Sequence, residues 1–83
     1  MQSGNDSRMR AFILVHARPG KASGLAEQIR KIRGITAADA VTGDYDIIAV
    51  CEVADVKALG DLILDGLHRV EGIDKTSTCI VVG

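Results

Sequence analysis

Aromatic residues are nearly absent from this chain: Phe12 and Tyr45 are the only Phe, Tyr or Trp side chains among 83 residues. The core must therefore be aliphatic, and the stacking residues of an RNA-binding sheet are missing. Lysine and arginine form no run, and the net charge is −1. These features argue against direct nucleic-acid binding, because phosphate neutralisation requires clustered cations.

Membrane-spanning stretches, export signals and metal-binding cysteine patterns are also missing from the sequence. No apolar run is long enough to cross a bilayer, and the N-terminus lacks the basic start and apolar centre of a signal peptide. We therefore expect a cytoplasmic protein without a membrane partner. The two cysteines, Cys51 and Cys79, are too few for a metal knuckle, and we expect no cofactor.

The hydrophobic pattern predicts six elements in the order strand, helix, strand, strand, helix, strand. Apolar runs of strand length alternate with segments whose apolar residues recur at helical spacing. Asp55 is positioned to cap the second helix, and Gly34 and Gly72 each follow a helix, so each half of the chain is a βαβ unit. The expected boundaries are 10–17, 21–33, 35–42, 45–53, 56–70 and 73–82.

This order predicts an α+β, ferredoxin-like βαββαβ fold in one domain, 9–83, after a flexible N-terminal segment, 1–8. Right-handed crossovers give a four-stranded antiparallel sheet of order 4-1-3-2 with two helices on one face. Strands one and three are apolar on both faces, so the face without helices is expected to meet a second subunit. The thin core of so short a chain likewise favours a homo-oligomer.

The strand order also separates the two cysteines. Cys51 and Cys79 lie on different neighbours of the first strand, about 9.6 Å apart, which is too far for an intramolecular disulfide. His16 lies on the strand between them, so a Cys-His-Cys metal cluster is conceivable if all three share a face. Buried free cysteines usually serve as small hydrophobic residues, and we favour that interpretation.

The stretch 41–48 joins two strand-like runs across Gly43-Asp44, which predicts a tight hairpin turn. Its backbone N–H groups can hold an anion and Asp46 can hold a cation, so together they can bind a zwitterion such as an amino acid. Alternatively, Gly43 merely permits a positive φ, and Asp44 and Asp46 are solvated. The local pattern favours this second interpretation, because turns are far commoner than ligand sites.

Two hydroxyl groups are notable in the last strand, where Thr76 and Thr78 share a face. They are either good strand formers or the donors and acceptors of a small polar pocket. Nucleophilic catalysis needs a nucleophile with an adjacent base and an orienting group, and Ser23 and Ser77 have no evident partners. We therefore expect no catalytic residues.

Several of these motifs occur together, in order, in one family. They are Gly43-Asp44-Tyr45-Asp46 in the hairpin, the helix that begins after Asp55, Glu71-Gly72-Ile73, and Thr76-Ser77-Thr78 before the last apolar run. From Met9 to Val82 the chain resembles the effector-binding (RAM) domain of the Lrp/AsnC transcription regulators, also called leucine-responsive or feast/famine regulators.

The resemblance implies a non-enzymatic, ferredoxin-like regulatory domain that binds a small effector, mostly an amino acid, and acts in transcriptional regulation of amino-acid metabolism. It implies dimers whose sheets pack face to face and which assemble into rings of eight or ten subunits, with effectors held between dimers near the hairpin. Members usually carry an N-terminal helix-turn-helix domain, whereas few residues precede the first strand here, so we expect a stand-alone effector domain. The residues expected at the ligand are Thr42, Gly43, Asp44, Tyr45, Asp46, Thr76 and Thr78.

Two other functions remain open, since fold does not settle function. A small dimeric α+β barrel enzyme, of the monooxygenase or isomerase type, shares this fold and would need a catalytic residue such as His16 inside the barrel. A structural partner that joins full-length regulators of the family would need no ligand. An activity screen distinguishes the first alternative, and co-purification with a helix-turn-helix homologue distinguishes the second.

Overall fold

The computed structural model describes residues 8–83, and within them the elements follow the expected order. They are β1 (Met9–Ala17), α1 (Ala22–Arg30), β2 (Ile35–Ala40), β3 (Ile47–Val53), α2 (Val56–Asp61) and β4 (Ile73–Ile80). α2 runs directly into a π-helical turn, Leu62–Gly66, and a 3-10 turn, Leu67–Arg69, and the three together are called the second helical segment. Of the expected flexible segment 1–8, all but Arg8 lies outside the described residues.

The four strands form one antiparallel sheet in the order β2-β3-β1-β4, which is the expected order 4-1-3-2. β1 lies inside the sheet, where Val15 is opposite Ile47 of β3 on one side and Thr76 of β4 on the other. The register with β4 shifts between His16 and Ala17, so β1 is irregular at its end. The ferredoxin-like fold is thereby confirmed.

One face of the sheet packs on the helices and forms the core. In β1, Ala11, Ile13 and Val15 are fully buried, and each alternates with a more exposed neighbour, because successive side chains of a strand point to opposite faces. Completing the core are Ile47, Ala49, Cys51 and Val53 of β3, Leu25, Ala26 and Ile29 of α1, Ala38 of β2, and Leu59, Leu62 and Leu67 of the second helical segment.

The opposite face of the sheet, here called the open face, carries apolar pairs as well. Phe12 is opposite Val50, and Leu14 is opposite Ile48, in the β1–β3 register. Phe12 is 37% exposed, and the other three side chains are half-buried. Both faces of the central strands are therefore apolar, as the sequence predicted.

The second helical segment differs from the regular helix expected at 56–70. Its buried residues are Leu59, Leu62 and Leu67, whereas Val56, its first residue, is 67% exposed. The N–H of Leu67 bonds to the carbonyl oxygens of both Ile63 and Leu62. Hydrogen bonding between residues five apart brings Leu62 and Leu67 to the same side, which an α-helix would not do.

The two connections that follow the helices have the same backbone conformation. Gly34 and Gly72 both have a φ of 100°, a conformation that side chains with a Cβ rarely adopt. α1 ends at Arg30, three residues earlier than expected, because the chain turns before Gly34. The repeated role of these two glycines, expected from the sequence, is confirmed.

Candidate functional site

The hairpin between β2 and β3 is longer than the tight turn that the sequence predicted. Six residues, 41–46, separate Ala40 from Ile47, and the loop is closed by the N–H of Val41 donating to the carbonyl oxygen of Asp46 at 2.8 Å. The side chains of 42–44 are exposed, and Gly43 has a φ of 152°. The hydrogen bonds found within residues 8–83 leave the N–H groups of residues 42–45 without a protein acceptor. These donors are available to an anion.

Asp46 anchors the hairpin to the end of β1. Its N–H donates to the carbonyl oxygen of Val15 at 2.9 Å, and its carboxylate oxygen Oδ2 accepts a hydrogen bond from the N–H of Ala17 at 2.8 Å. The carboxylate thus extends the hydrogen bonding between β1 and β3 past their final pair, Val15 and Ile47. One carboxylate oxygen is used in this contact, and the residue is half-buried. Asp46 is therefore not the solvated turn residue of the simpler interpretation.

Tyr45 packs against His16. The two ring centroids are 4.6 Å apart and the planes are inclined by 43°, a tilted arrangement typical of favourable aromatic pairs. His16 follows Phe12 and Leu14 on the open face, and its cross-strand neighbour in β4 is Lys75. The side chain that was the best catalytic candidate for a barrel enzyme thus contacts the hairpin.

The two threonines of β4 lie apart from the hairpin within one chain. Thr76 is opposite Val15 and Thr78 is opposite Ile13, so both are on the helix side of the sheet, and their shared face is confirmed. β1 separates β4 from β3, a distance of about 9.6 Å. One chain does not bring these hydroxyls together with the hairpin donors.

The cysteines are free and lie on opposite faces of the sheet. Cys51 is buried with Ala11 on the helix side, and burial raises the pKa of its thiol. Cys79 is exposed opposite Phe12 on the open face. Within residues 8–83, no group of three or more His, Cys, Asp or Glu side chains is placed to hold a metal.

A cleft that the sequence did not indicate lies at the same end of the sheet as the hairpin. It has a volume of about 700 Å³ and is formed by the connection from β1 to α1 and by the turn that precedes β4. Charged side chains line both walls, Arg18 and Lys21 on one and Arg69 and Glu71 on the other, and His68 lies beside the second pair. The sequence signal was present but dispersed, because these residues are about fifty positions apart.

A comparison with protein families decides the relationship of the chain. Residues 10–83 match the Lrp/AsnC ligand binding domain. The chain belongs to this family. The resemblance carried by the hairpin and last-strand motifs is thereby confirmed. Within residues 8–83, no helix combines the length and hydropathy needed to cross a bilayer.

The chain is similar in sequence to curated transcriptional regulators and in structure to proteins of known fold. The uncharacterised HTH-type transcriptional regulator PH0140 of Pyrococcus horikoshii is 34% identical over 71 residues, covering 86% of this chain and 45% of that protein. TTHA0845 from Thermus thermophilus, known as a crystal structure, is 29% identical with a TM-score of 0.85, covering 90% of this chain and 94% of that chain.

A third similar protein was crystallised with an amino acid. The transcriptional regulator NMB0573 from Neisseria meningitidis, in complex with L-methionine, has a TM-score of 0.83 at 24% identity, over 100% of this chain and 56% of that one. At that identity the similarity is one of fold. The chain spans about half the length of regulators such as PH0140.

Proposed function

We propose that this domain is a non-enzymatic sensor that binds an amino acid at the hairpin and transmits its presence to cytoplasmic transcriptional regulation of amino-acid metabolism. The observation that carries the proposal is the row of free N–H groups at 42–45 beside the anchored carboxylate of Asp46. Membership in a ligand-binding family and the methionine complex of the Neisseria regulator support it.

The geometry suits the two charged ends of a zwitterion. The N–H groups of Gly43 and Asp44 donate to the ligand carboxylate, as turn donors do for anions. The ammonium group binds the carboxylate oxygen of Asp46 that the contact with Ala17 leaves free. The ring of Tyr45, packed against His16, forms one side of the site.

We propose that the site is completed by another subunit. The hydroxyls of Thr76 and Thr78 are separated from the hairpin of their own chain by β1, so a site with both groups needs Thr76 and Thr78 from a neighbouring chain. The paired apolar side chains of the open face supply a surface for the first step of assembly, a face-to-face dimer. Rings of eight or ten subunits would then place hairpins against neighbouring dimers.

Assembly is tested by light scattering at micromolar concentration. We expect the parent protein to run as a dimer or larger, and Leu14→Lys on the open face to run as a monomer of 8.8 kDa. Leu64→Lys is the matched control, because Leu64 is 62% exposed on the second helical segment. A monomeric parent protein, or equal dissociation by both substitutions, would contradict the face-to-face dimer.

Amino-acid binding is tested by a thermal-shift screen of the twenty amino acids, followed by calorimetry with the best one. Asp46→Asn is the informative variant, because the amide oxygen still accepts from Ala17 while the negative charge is lost. We expect binding to weaken about tenfold, the difference between a charge-assisted and a neutral hydrogen bond. Asp65→Asn, which removes an exposed carboxylate elsewhere, should leave affinity unchanged.

Two outcomes would redirect the proposal. Unchanged affinity in a folded Asp46→Asn protein removes Asp46 from the ligand, and the neighbouring Asp44 becomes the next candidate for the ammonium group. If no amino acid binds the parent protein at millimolar concentration, the sensor function gives way to that of a structural partner of full-length regulators, which co-purification with a helix-turn-helix homologue then tests.

A further inference from the structure

The cleft beside the start of α1 has a surplus of positive charge. Arg18, Lys21 and Arg69 line it together with His68, and Glu71 is the single acidic residue of its lining. The one salt bridge found within residues 8–83, Lys57–Asp61, lies outside the cleft. The cations of the cleft therefore have no carboxylate partner within 4.0 Å in the described part of the chain.

Glycines and free backbone donors leave room between these cations. A Cβ atom built on Gly20 or Gly24 would meet no atom within 4 Å, so both border open space in the cleft wall. Lys21 occupies the N-cap of the nine-residue helix α1 but makes no side-chain capping bond. The first N–H groups of α1 are thus left for an acceptor other than a cap.

We propose that this cleft binds a small organic oxyanion with more than one negative charge, a phosphate ester or a dicarboxylate. The surplus of two cationic side chains over Glu71 selects a net-negative ligand and not a neutral zwitterion. Arginine forks and amide N–H groups are suited to oxyanions. The inference stands apart from amino-acid binding at the hairpin, because the two sites share no ligand residue.

The cleft and the hairpin are both attached to the end of β1. The N–H of Arg18 donates to the carbonyl oxygen of Gly72 at 2.8 Å, and the N–H of Ala17 donates to Asp46 at 2.8 Å. The last residue of β1 and the residue that follows it thus hold the hairpin and the wall of the cleft. A ligand in the cleft would be located where it can influence the amino-acid site.

Calorimetry with two probes, adenosine 5′-monophosphate and succinate, tests the proposal and distinguishes the two ligand classes. Binding of either probe supports it, provided that Lys21→Ala and Arg69→Ala each weaken that binding about tenfold, the loss of one charge-assisted contact. Lys31→Ala is the matched control, because it removes the same charge at the other end of α1, about 15 Å away. It should leave the affinity unchanged.

The two cleft variants lie on separate elements, so a folding defect in one leaves the other informative, and circular dichroism checks both. Binding that is weakened equally by Lys31→Ala overturns the cleft assignment, since only net charge would then matter. Failure of both probes to bind the folded parent protein at millimolar concentration also overturns it. Binding of duplex DNA that is weakened to the same extent by Lys21→Ala would overturn it as well. Titrations of the same variants with methionine report separately on the hairpin site.

Discussion

α1 and the second helical segment occupy equivalent places in the two halves of the fold, and their connections to the sheet are alike. After each helix a glycine with a φ of 100° leads into the next strand. The carbonyl oxygen of Gly34 accepts from Glu52 at 2.9 Å, and that of Gly72 accepts from Arg18 at 2.8 Å. The backbone at the end of each helix is thus repeated from one half to the other.

The helices themselves differ. α1 is regular and has no side-chain cap, whereas α2 is capped by Asp55, whose Oδ1 accepts from the N–H of Ala58 at 2.8 Å. The second segment then leaves the α-helical hydrogen-bond pattern, with a π turn that ends at Gly66 and a 3-10 turn after it. A Cβ on Gly66 would lie 2.9 Å from Cγ2 of Ile32. The comparison indicates that connections follow local backbone preference, while helix geometry follows side-chain packing between the halves.

The largest expected effect comes from giving the two equivalent glycines a Cβ. Gly34→Ala should lower the free energy of unfolding by about 2–4 kcal/mol, because of the positive φ and because the new Cβ lies 2.8 Å from Cδ1 of buried Leu62. Gly72→Ala should lose about 1–2 kcal/mol, because its closest contact, with Cδ1 of Leu25, is 3.4 Å. Denaturant unfolding measures both. Adding Leu62→Ala should remove the difference between them, and a difference that persists would contradict the steric explanation.

The next effect tests how closely the second helical segment packs on Ile32. Gly66→Ala should destabilise by about 1–3 kcal/mol, because the new methyl group meets Ile32. Gly60→Ala, in α2 with no atom within 4 Å of its Cβ, should stabilise by up to about 1 kcal/mol. Thermal unfolding measures the two shifts in opposite directions. A loss in Gly60→Ala would mean that another subunit packs against this glycine.

The N-caps of the two helices provide a comparison with a smaller expected difference in stability. Asp55→Ala removes the capping bond of α2 and should lower the free energy of unfolding by about 1 kcal/mol. Lys21→Ala, at the uncapped start of α1, should leave it nearly unchanged. Urea titrations followed by circular dichroism compare the two. Equal losses would show that Lys21 stabilises α1 in a way other than capping.

The smallest effect is a dependence of stability on pH that comes from the buried thiol of Cys51. Burial raises the pKa of the Cys51 thiol, so in the pH range just above its ordinary value the unfolded chain loses this proton first. The unfolded state then binds fewer protons, and stability falls as pH rises. Denaturant midpoints measured from below to above pH 9.0, the ordinary pKa of a cysteine thiol, should decline more steeply in the parent protein than in Cys51→Ala. Parallel declines would contradict the contribution of Cys51.

Much of this fold could be predicted because its signals are local. The alternation along β1, the glycines after both helices and the cap at Asp55 each involve residues a few positions apart. Together these signals were sufficient for the topology. The family motifs, which are equally local, predicted the relationship that the family comparison confirmed.

The remaining features depend on contacts between distant parts of the chain. The π turn arises where Gly66 meets Ile32, and the contact of Asp46 with Ala17 spans 29 residues. The charged cleft likewise joins Arg18 to Arg69 across most of the chain. Hydrophobic periodicity carries no information about contacts between distant residues, so the candidate residues could be named from the sequence while their arrangement could not.

The shared attachment at the end of β1 has a thermodynamic consequence. Ala17 and Arg18 are consecutive residues at the end of β1, so a ligand that displaces either loop also changes the support of the other. Any resulting coupling between two binding equilibria is reciprocal. An oxyanion in the cleft and an amino acid at the hairpin should therefore change each other's dissociation constant by the same factor, whichever of the two is added first.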